Sequence, residues 1–211
     1  MPTSVTVVNL YGSDANRAGV TGQVEFDSHT SDVVGNAVAL INDVTPGERH
    51  GKPFPAPADL RIAVRDAVPP SRTPDHPTET EAAELAGWAA RLRAVVELVD
   101  DGEVDTACTT LNRILRETEA MPTLVRHDGE PWHLHFHSAG AEWAISWAAS
   151  MATALAVVLG NASIERLGIC NATACDRVYV DISRNGTRRF CSTACQNRVK
   201  AAAFRARKTA G

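Results

Sequence analysis

Four of the five cysteines stand in one stretch near the C-terminus, as Cys170-x4-Cys175, fifteen intervening residues, then Cys191-x3-Cys195. Two close pairs separated by a hairpin-sized spacer form the pattern of a tetrahedral structural Zn2+ site. This constrains the fold, because a module of ~45 residues buries too little surface to be stable on an apolar core alone. Binding of the ion, worth about 10–16 kcal/mol in small fingers, supplies the missing stability. Four protein thiolates fill the coordination shell and leave no position for water, so the expected cofactor is a single structural Zn2+ and hydrolytic zinc chemistry is not expected.

The residues around the cysteines predict the shape of the module. Cys170 to Cys175 forms a knuckle, Val178-Tyr179-Val180 a strand, Asn185-Gly186 a tight turn, and Thr187 to Phe190 the returning strand. Ser192 is placed to cap a helix running through Arg207. Cys191 and Cys195 then sit one helical turn apart and face the same ion. Phe190 and Phe204 are assigned to the module's small core. Knuckle, hairpin and helix together make a treble-clef-like finger.

Charge separates this module from the rest of the chain. The net charge is −4, yet residues 165–211 carry ten Arg or Lys against three Asp or Glu, a local +7, and the remainder carries −11. Four thiolates on one Zn2+ contribute about −2 and leave the tail near +5. An acidic body with a basic, metal-stapled tail is the arrangement of a nucleic-acid-binding module attached to a part with another task. Arg184, Arg188 and Arg189 fall on the predicted hairpin, and Arg198, Lys200, Arg205, Arg207 and Lys208 on the predicted helix. DNA is the expected partner.

Upstream, the pattern is mainly helical. Short strands are read at Val5–Leu10 and Gln23–Asp27. Helices are read over Asp32–Val44 with Ser31 or Asp32 as N-cap, Ala58–Ala67, Glu81–Val99, Val104–Thr118 and Ala141–Leu159. A short helix is read around Ser163–Leu167. The stretch Val68–Thr80, with four prolines, is a loop. Thr123–His127 and Trp132–His137 flank Asp128-Gly129 as a hairpin, with Trp132, Leu134 and Phe136 expected to face the core and the three alternating histidines outward. Cys108 belongs to a helical core stripe. The apolar run Ala141–Leu159 is alanine-rich and interrupted by Glu142, Ser146, Ser150 and Thr153, so it is read as a buried helix and not a membrane span. With no signal-like N-terminus and reduced thiols, the expected location is cytoplasmic. The fold class is α+β: a mainly helical N-terminal domain with short β-hairpins plus the small finger.

Asp181-Ile182-Ser183-Arg184-Asn185, Arg188-Arg189-Phe190-Cys191-Ser192 and Cys195-Gln196-Asn197-Arg198-Val199-Lys200, in this order, resemble the CGNR zinc-finger family. Gln196 stands where that family has its namesake glycine. The resemblance implies a bacterial protein whose finger, over 165–209, follows an α/β domain called ABATE, over 23–160, with residues 1–22 as an extension. It also implies a stress-induced transcriptional regulator, and Asn197 joins the expected nucleic-acid-binding set. The N-terminal domain would sense an unknown small molecule or form a homodimer.

Two other functional classes are compatible with parts of the sequence. The finger could equally serve RNA or a protein partner, since charge alone does not separate them. An enzyme is not expected: no histidine follows His137 for treble-clef nuclease chemistry, and no phosphate-binding or nucleophile motif is present. The alternating His133, His135 and His137, with three imidazoles on one strand face, leave a metal-dependent enzyme as the lesser alternative. Thiolates beside many cations would also suit a redox switch.

Overall fold

The computed structural model describes residues 28–68, 77–126, 132–138, 140–160, 166–181 and 185–209. The strands expected at 5–10 and 23–27, the Asp128-Gly129 turn, most of the helix expected at 163–167, and Arg184 lie outside them. The described chain runs α1 (Ser28–Val44), β1 (Gly47–Arg49), β2 (Lys52–Phe54), α2 (Leu60–Ala67), α3 (Glu79–Asp100), α4 (Val104–Glu117), β3 (Thr123–Val125), β4 (His133–His135), α5 (Trp143–Gly160), β5 (Leu167–Ile169), β6 (Val178–Val180) and α6 (Thr193–Thr209). It is a mostly helical body with three separate two-stranded antiparallel pairs.

Each long helix follows from its apolar stripe and its ends. In α3, Leu85, Ala89, Leu92, Val95, Val96 and Val99 line one buried face. Thr78 closes its N-terminus in a capping box: its hydroxyl accepts from the Glu81 N–H at 3.2 Å, while the Glu81 carboxylate accepts from the Thr78 N–H at 2.8 Å. The helix therefore starts two residues before the expected Glu81. The α1 helix also starts earlier, at Ser28, so the expected N-cap positions 31 and 32 fall within its span. In α2, Asp59 caps through bonds to the Arg61 and Ile62 N–H groups. Val64 is buried but Ile62 is 46% exposed, because residues two apart on a helix point to nearly opposite sides.

The α5 helix is the one described helix long and apolar enough to cross a membrane, and 61% of that span is buried within the protein. Ala144, Ala148 and Ala152 are almost fully buried, and their small side chains let α1, α3 and α4 pack closely against it. Cys108 packs half-buried against this same core, as its stripe predicted.

The β3–β4 hairpin forms, with Leu124 opposite Leu134, but its faces are reversed from the expectation. Leu124 and Trp132 are each 65% exposed, whereas His135 is 8% exposed. Imidazoles can be buried here because their ring nitrogens bond one another, so the polar face lies inward without unsatisfied groups.

The hairpin β1–β2 was not foreseen. His50 (φ +56°) and Gly51 (φ +86°) form its two-residue turn, both in the left-handed region that such turns require. This hairpin and the end of α1 carry the finger. The fully buried Arg177 guanidinium donates to the carbonyls of Asn42 at 2.7 Å, Thr45 at 2.8 Å and Pro46 at 3.4 Å. These are orphan carbonyls at and just beyond the C-terminal end of α1, where a cation is also favoured by the helix dipole. The same guanidinium grips the Asp176 carboxylate, which Arg93 reaches from α3 at 3.3 Å. The Asn42 side chain completes the joint by pairing with Val178 as a strand would, accepting its N–H at 2.8 Å and donating to its carbonyl at 2.9 Å.

The candidate metal centre

The knuckle sits between β5 and β6, which pair as Leu167 with Val180, Gly168 with Tyr179 and Ile169 with Val178. This corrects the expected partner of Val178–Val180: residues 187–190 form no strand. Among the described residues they return through a backbone bond from Asn171 N–H to Arg189 O at 3.0 Å. The reason is burial. Leu167, Val178 and Val180 all join the core of the helical body, so pairing β6 with β5 hides apolar surface that the polar stretch 187–189 cannot offer. Ala174 supplies the left-handed turn of the knuckle (φ +53°).

At the head of α6 the Ser192 hydroxyl accepts from the Cys195 N–H at 3.3 Å, capping the helix as expected. Cys191 and Cys195 then face the knuckle. The sulfurs of Cys175 and Cys191 are 3.7 Å apart, those of Cys191 and Cys195 3.8 Å, and those of Cys195 and Cys175 3.6 Å. All four sulfurs, including that of Cys170, lie within 4.8 Å of one another. Four sulfurs at the usual Zn–S length of about 2.3 Å on a tetrahedral ion stand ~3.8 Å apart. The residues present fit one structural Zn2+.

The surroundings of three of the thiols bear on how such an ion would be held. Burial pushes the Cys170 thiol up, and the neighbouring Cys175 charge adds to it. Burial raises Cys191 strongly, again reinforced by its neighbours. Burial acts upward on Cys175 too, but N–H groups of His50 and Arg177 donate to its sulfur and hold it below the ordinary thiol value. Like charges packed this closely repel, and a divalent ion among them offsets that repulsion.

The His50 N–H comes from the helical body, so the β1–β2 turn belongs to the outer shell of the metal. The same turn makes two further contacts: the Gly51 N–H donates to Ala174 O at 2.8 Å, and His50 Nε2 lies 3.0 Å from Ser192 Oγ. A Cβ on Gly51 would fall 2.6 Å from the Arg198 guanidinium, which itself donates to Thr173 O at 2.6 Å. Gly51→Ala is therefore expected to strain the turn, by about 1–2 kcal/mol for a side chain in that conformation, and to displace Arg198. Chelator competition on the full chain should read a roughly tenfold weaker Zn2+ affinity, in the range of outer-shell losses; an unchanged affinity would show that the turn does not support the metal.

Phe190 and Val199 pack on the cysteines, but Phe204 is 62% exposed and is no part of that core. The described members of the expected nucleic-acid-binding set divide into two groups. Arg188 donates to the Phe190 carbonyl at 2.8 Å and to Cys191 O, and Arg189 donates to the Arg188 carbonyl at 2.8 Å. With Arg198 they brace loop and knuckle carbonyls around the metal. Asn197, Lys200, Arg205, Arg207 and Lys208 are instead exposed on α6. Sequence reasoning missed Asn42, His50, Arg93, Asp176 and Arg177, whose partners across the joint lie far away along the chain.

Taken together, a helical body with a tetra-thiolate treble-clef-like finger docked on it defines a zinc-finger protein with a structural metal. Residues 32–162 match the ABATE family, described as "Putative stress-induced transcription regulator", and residues 166–208 match the CGNR zinc finger. The chain belongs to the ABATE family and carries a CGNR zinc finger at its C-terminal end. No curated protein matches it.

Proposed function

We propose that this protein is a DNA-binding transcriptional regulator in which α6 makes the main DNA contact and the helical body senses a signal or dimerises. The observation that carries this reading is the exposure of α6 beyond the metal. Residues 200–209 are all exposed and present Lys200, Arg205, Arg207 and Lys208, none of them paired with a carboxylate among the described residues. Ten residues make ~15 Å of free helix, enough to enter a major groove about 12 Å wide. Phosphate contacts from the cations would set position, and Asn197 sits at the base of the same helix. The tetra-thiolate shell has no open position for catalysis, which supports a binding role over an enzymatic one.

Gel-shift titration across salt tests it. With about five phosphate contacts, log K should fall with log salt at a slope near −4 to −5. Lys200→Ala, Arg205→Ala, Arg207→Ala and Lys208→Ala combined should flatten that slope by roughly one per cation while zinc stays bound. Absence of binding at low salt, or a slope the quadruple variant leaves intact, removes the proposal. The exposed Phe204 favours a second reading, in which the finger docks on a protein or a second copy of the chain; nuclease-resistant capture by the full chain would support it.

A further inference from the structure

Beyond the finger, three imidazoles meet on β4 and its continuation. His133, His135 and His137 occupy alternate positions and share one face of the strand. His133 Nε2 lies 3.1 Å from His135 Nε2, His135 Nδ1 lies 3.1 Å from His137 Nε2, and His137 Nδ1 lies 3.1 Å from Ser138 O. A carbonyl only accepts, which sets the tautomers of the neutral rings in turn. His137 carries its proton on Nδ1 and accepts at Nε2. His135 must then donate from Nδ1, and its Nε2 lone pair is aimed at His133 Nε2.

That is the way a ligating histidine is held, with the second ring nitrogen donating to an orienting partner. Two imidazole nitrogens bound to one ion at about 2.0–2.1 Å stand roughly 2.9–3.4 Å apart for bond angles between square and tetrahedral. The 3.1 Å between His133 and His135 falls inside that range. On ion binding the His133 Nε2 proton leaves that nitrogen, and the ion takes the place of the hydrogen bond between the two Nε2 atoms. His135 is buried and His133 half-buried, so the ion enters from the His133 side.

We propose that His133 Nε2 and His135 Nε2 chelate a borderline divalent transition-metal ion, with His137 as the positioning residue that holds the His135 ring. Imidazole donors suit Ni2+, Cu2+ and Zn2+ and discriminate against Mg2+ and Ca2+. This names a ligand class for the sensing role proposed above, but its test involves no DNA, so either reading can fail alone.

The tag-free, zinc-loaded full chain is titrated with Ni2+ by calorimetry, with bound zinc counted in parallel. One Ni2+ per chain is expected, with the finger's zinc retained. His133→Ala and His135→Ala should abolish the uptake. His137→Ala should weaken it about 10–100-fold, and His137→Gln should restore most of it, because an amide can both accept from His135 and donate to Ser138. Thermal melts of each variant establish that the body is folded. No uptake by the wild-type chain, or uptake unchanged in folded His133→Ala and His135→Gln variants, overturns the proposal.

Discussion

Arg177→Met should lower the stability of the zinc-loaded protein by about 3–5 kcal/mol, the usual loss when one member of a buried ionic network is removed. The side chain is 1% exposed and bonds three backbone carbonyls and the Asp176 carboxylate. Methionine keeps much of the volume but leaves the Asn42 and Thr45 carbonyls unsatisfied, at ~1–3 kcal/mol each. Burial acts upward on the Asp176 carboxyl, yet Arg177, the Glu48 N–H and Arg93 together hold it below the ordinary carboxylate range. The variant removes the first of these. Arg177→Lys should rescue little, since an ammonium cannot span the carbonyls that the planar fork reaches together. Urea unfolding measures the change; a loss below about 1 kcal/mol would mean the Arg177 network contributes little to the joint between finger and body.

Zinc removal has the largest expected effect on the finger. Among the described residues the metal-side core consists of the buried Cys170, Ala172, Cys175 and Cys195, with Phe190, Cys191 and Val199 packed on it. Such a core cannot offset the ordering entropy of the loop and α6, at about 1–2 kcal/mol per residue. Stripping the ion, or Cys195→Ser, should therefore unfold α6 and with it remove the DNA contact proposed for that helix. The helical body should persist, because β5 and β6 belong to its own core. Hydrogen exchange over residues 193–209 reads the outcome directly, with far-UV circular dichroism falling in step. An α6 that stays protected in the metal-free chain would contradict a structural role for the ion. Because binding requires thiolates, Zn2+ uptake releases protons and its affinity declines with acid.

The joint and the metal are linked through short paths. Arg177 donates its N–H to the Cys175 sulfur and its side chain to the end of α1. The β1–β2 turn touches Cys175, Ala174 and Ser192. Body and finger thus share residues at their boundary, and a change at the end of α1 or in that turn has a direct route to the metal shell.

Much of this was legible in one dimension. The cysteine spacing identified the ligand set, since four thiols in two close pairs have few other uses. Helical periodicity located α3, α4 and α5 within a few residues, because their apolar stripes are long and their ends carry strong caps or breakers. Short segments were harder. The sequence marks Val178-Tyr179-Val180 as a strand and suggests 187–190 as its partner, whereas it pairs with 167–169. Each stretch is only a few residues long, and pattern alone does not say which neighbour hides more apolar surface. The β3–β4 faces were inverted for a related reason: alternation names two faces, and only packing chooses the inner one.

From residue order came the metal, the acidic body with its basic tail, and the helices, because each depends on spacing or composition within a short window. Three-dimensional packing decided which cations brace the finger and which stand free on α6. It also brought Asn42 and His50 to the metal module across more than a hundred intervening residues. No local pattern encodes such contacts, since they arise only when the two surfaces have folded and a buried guanidinium must find its acceptors.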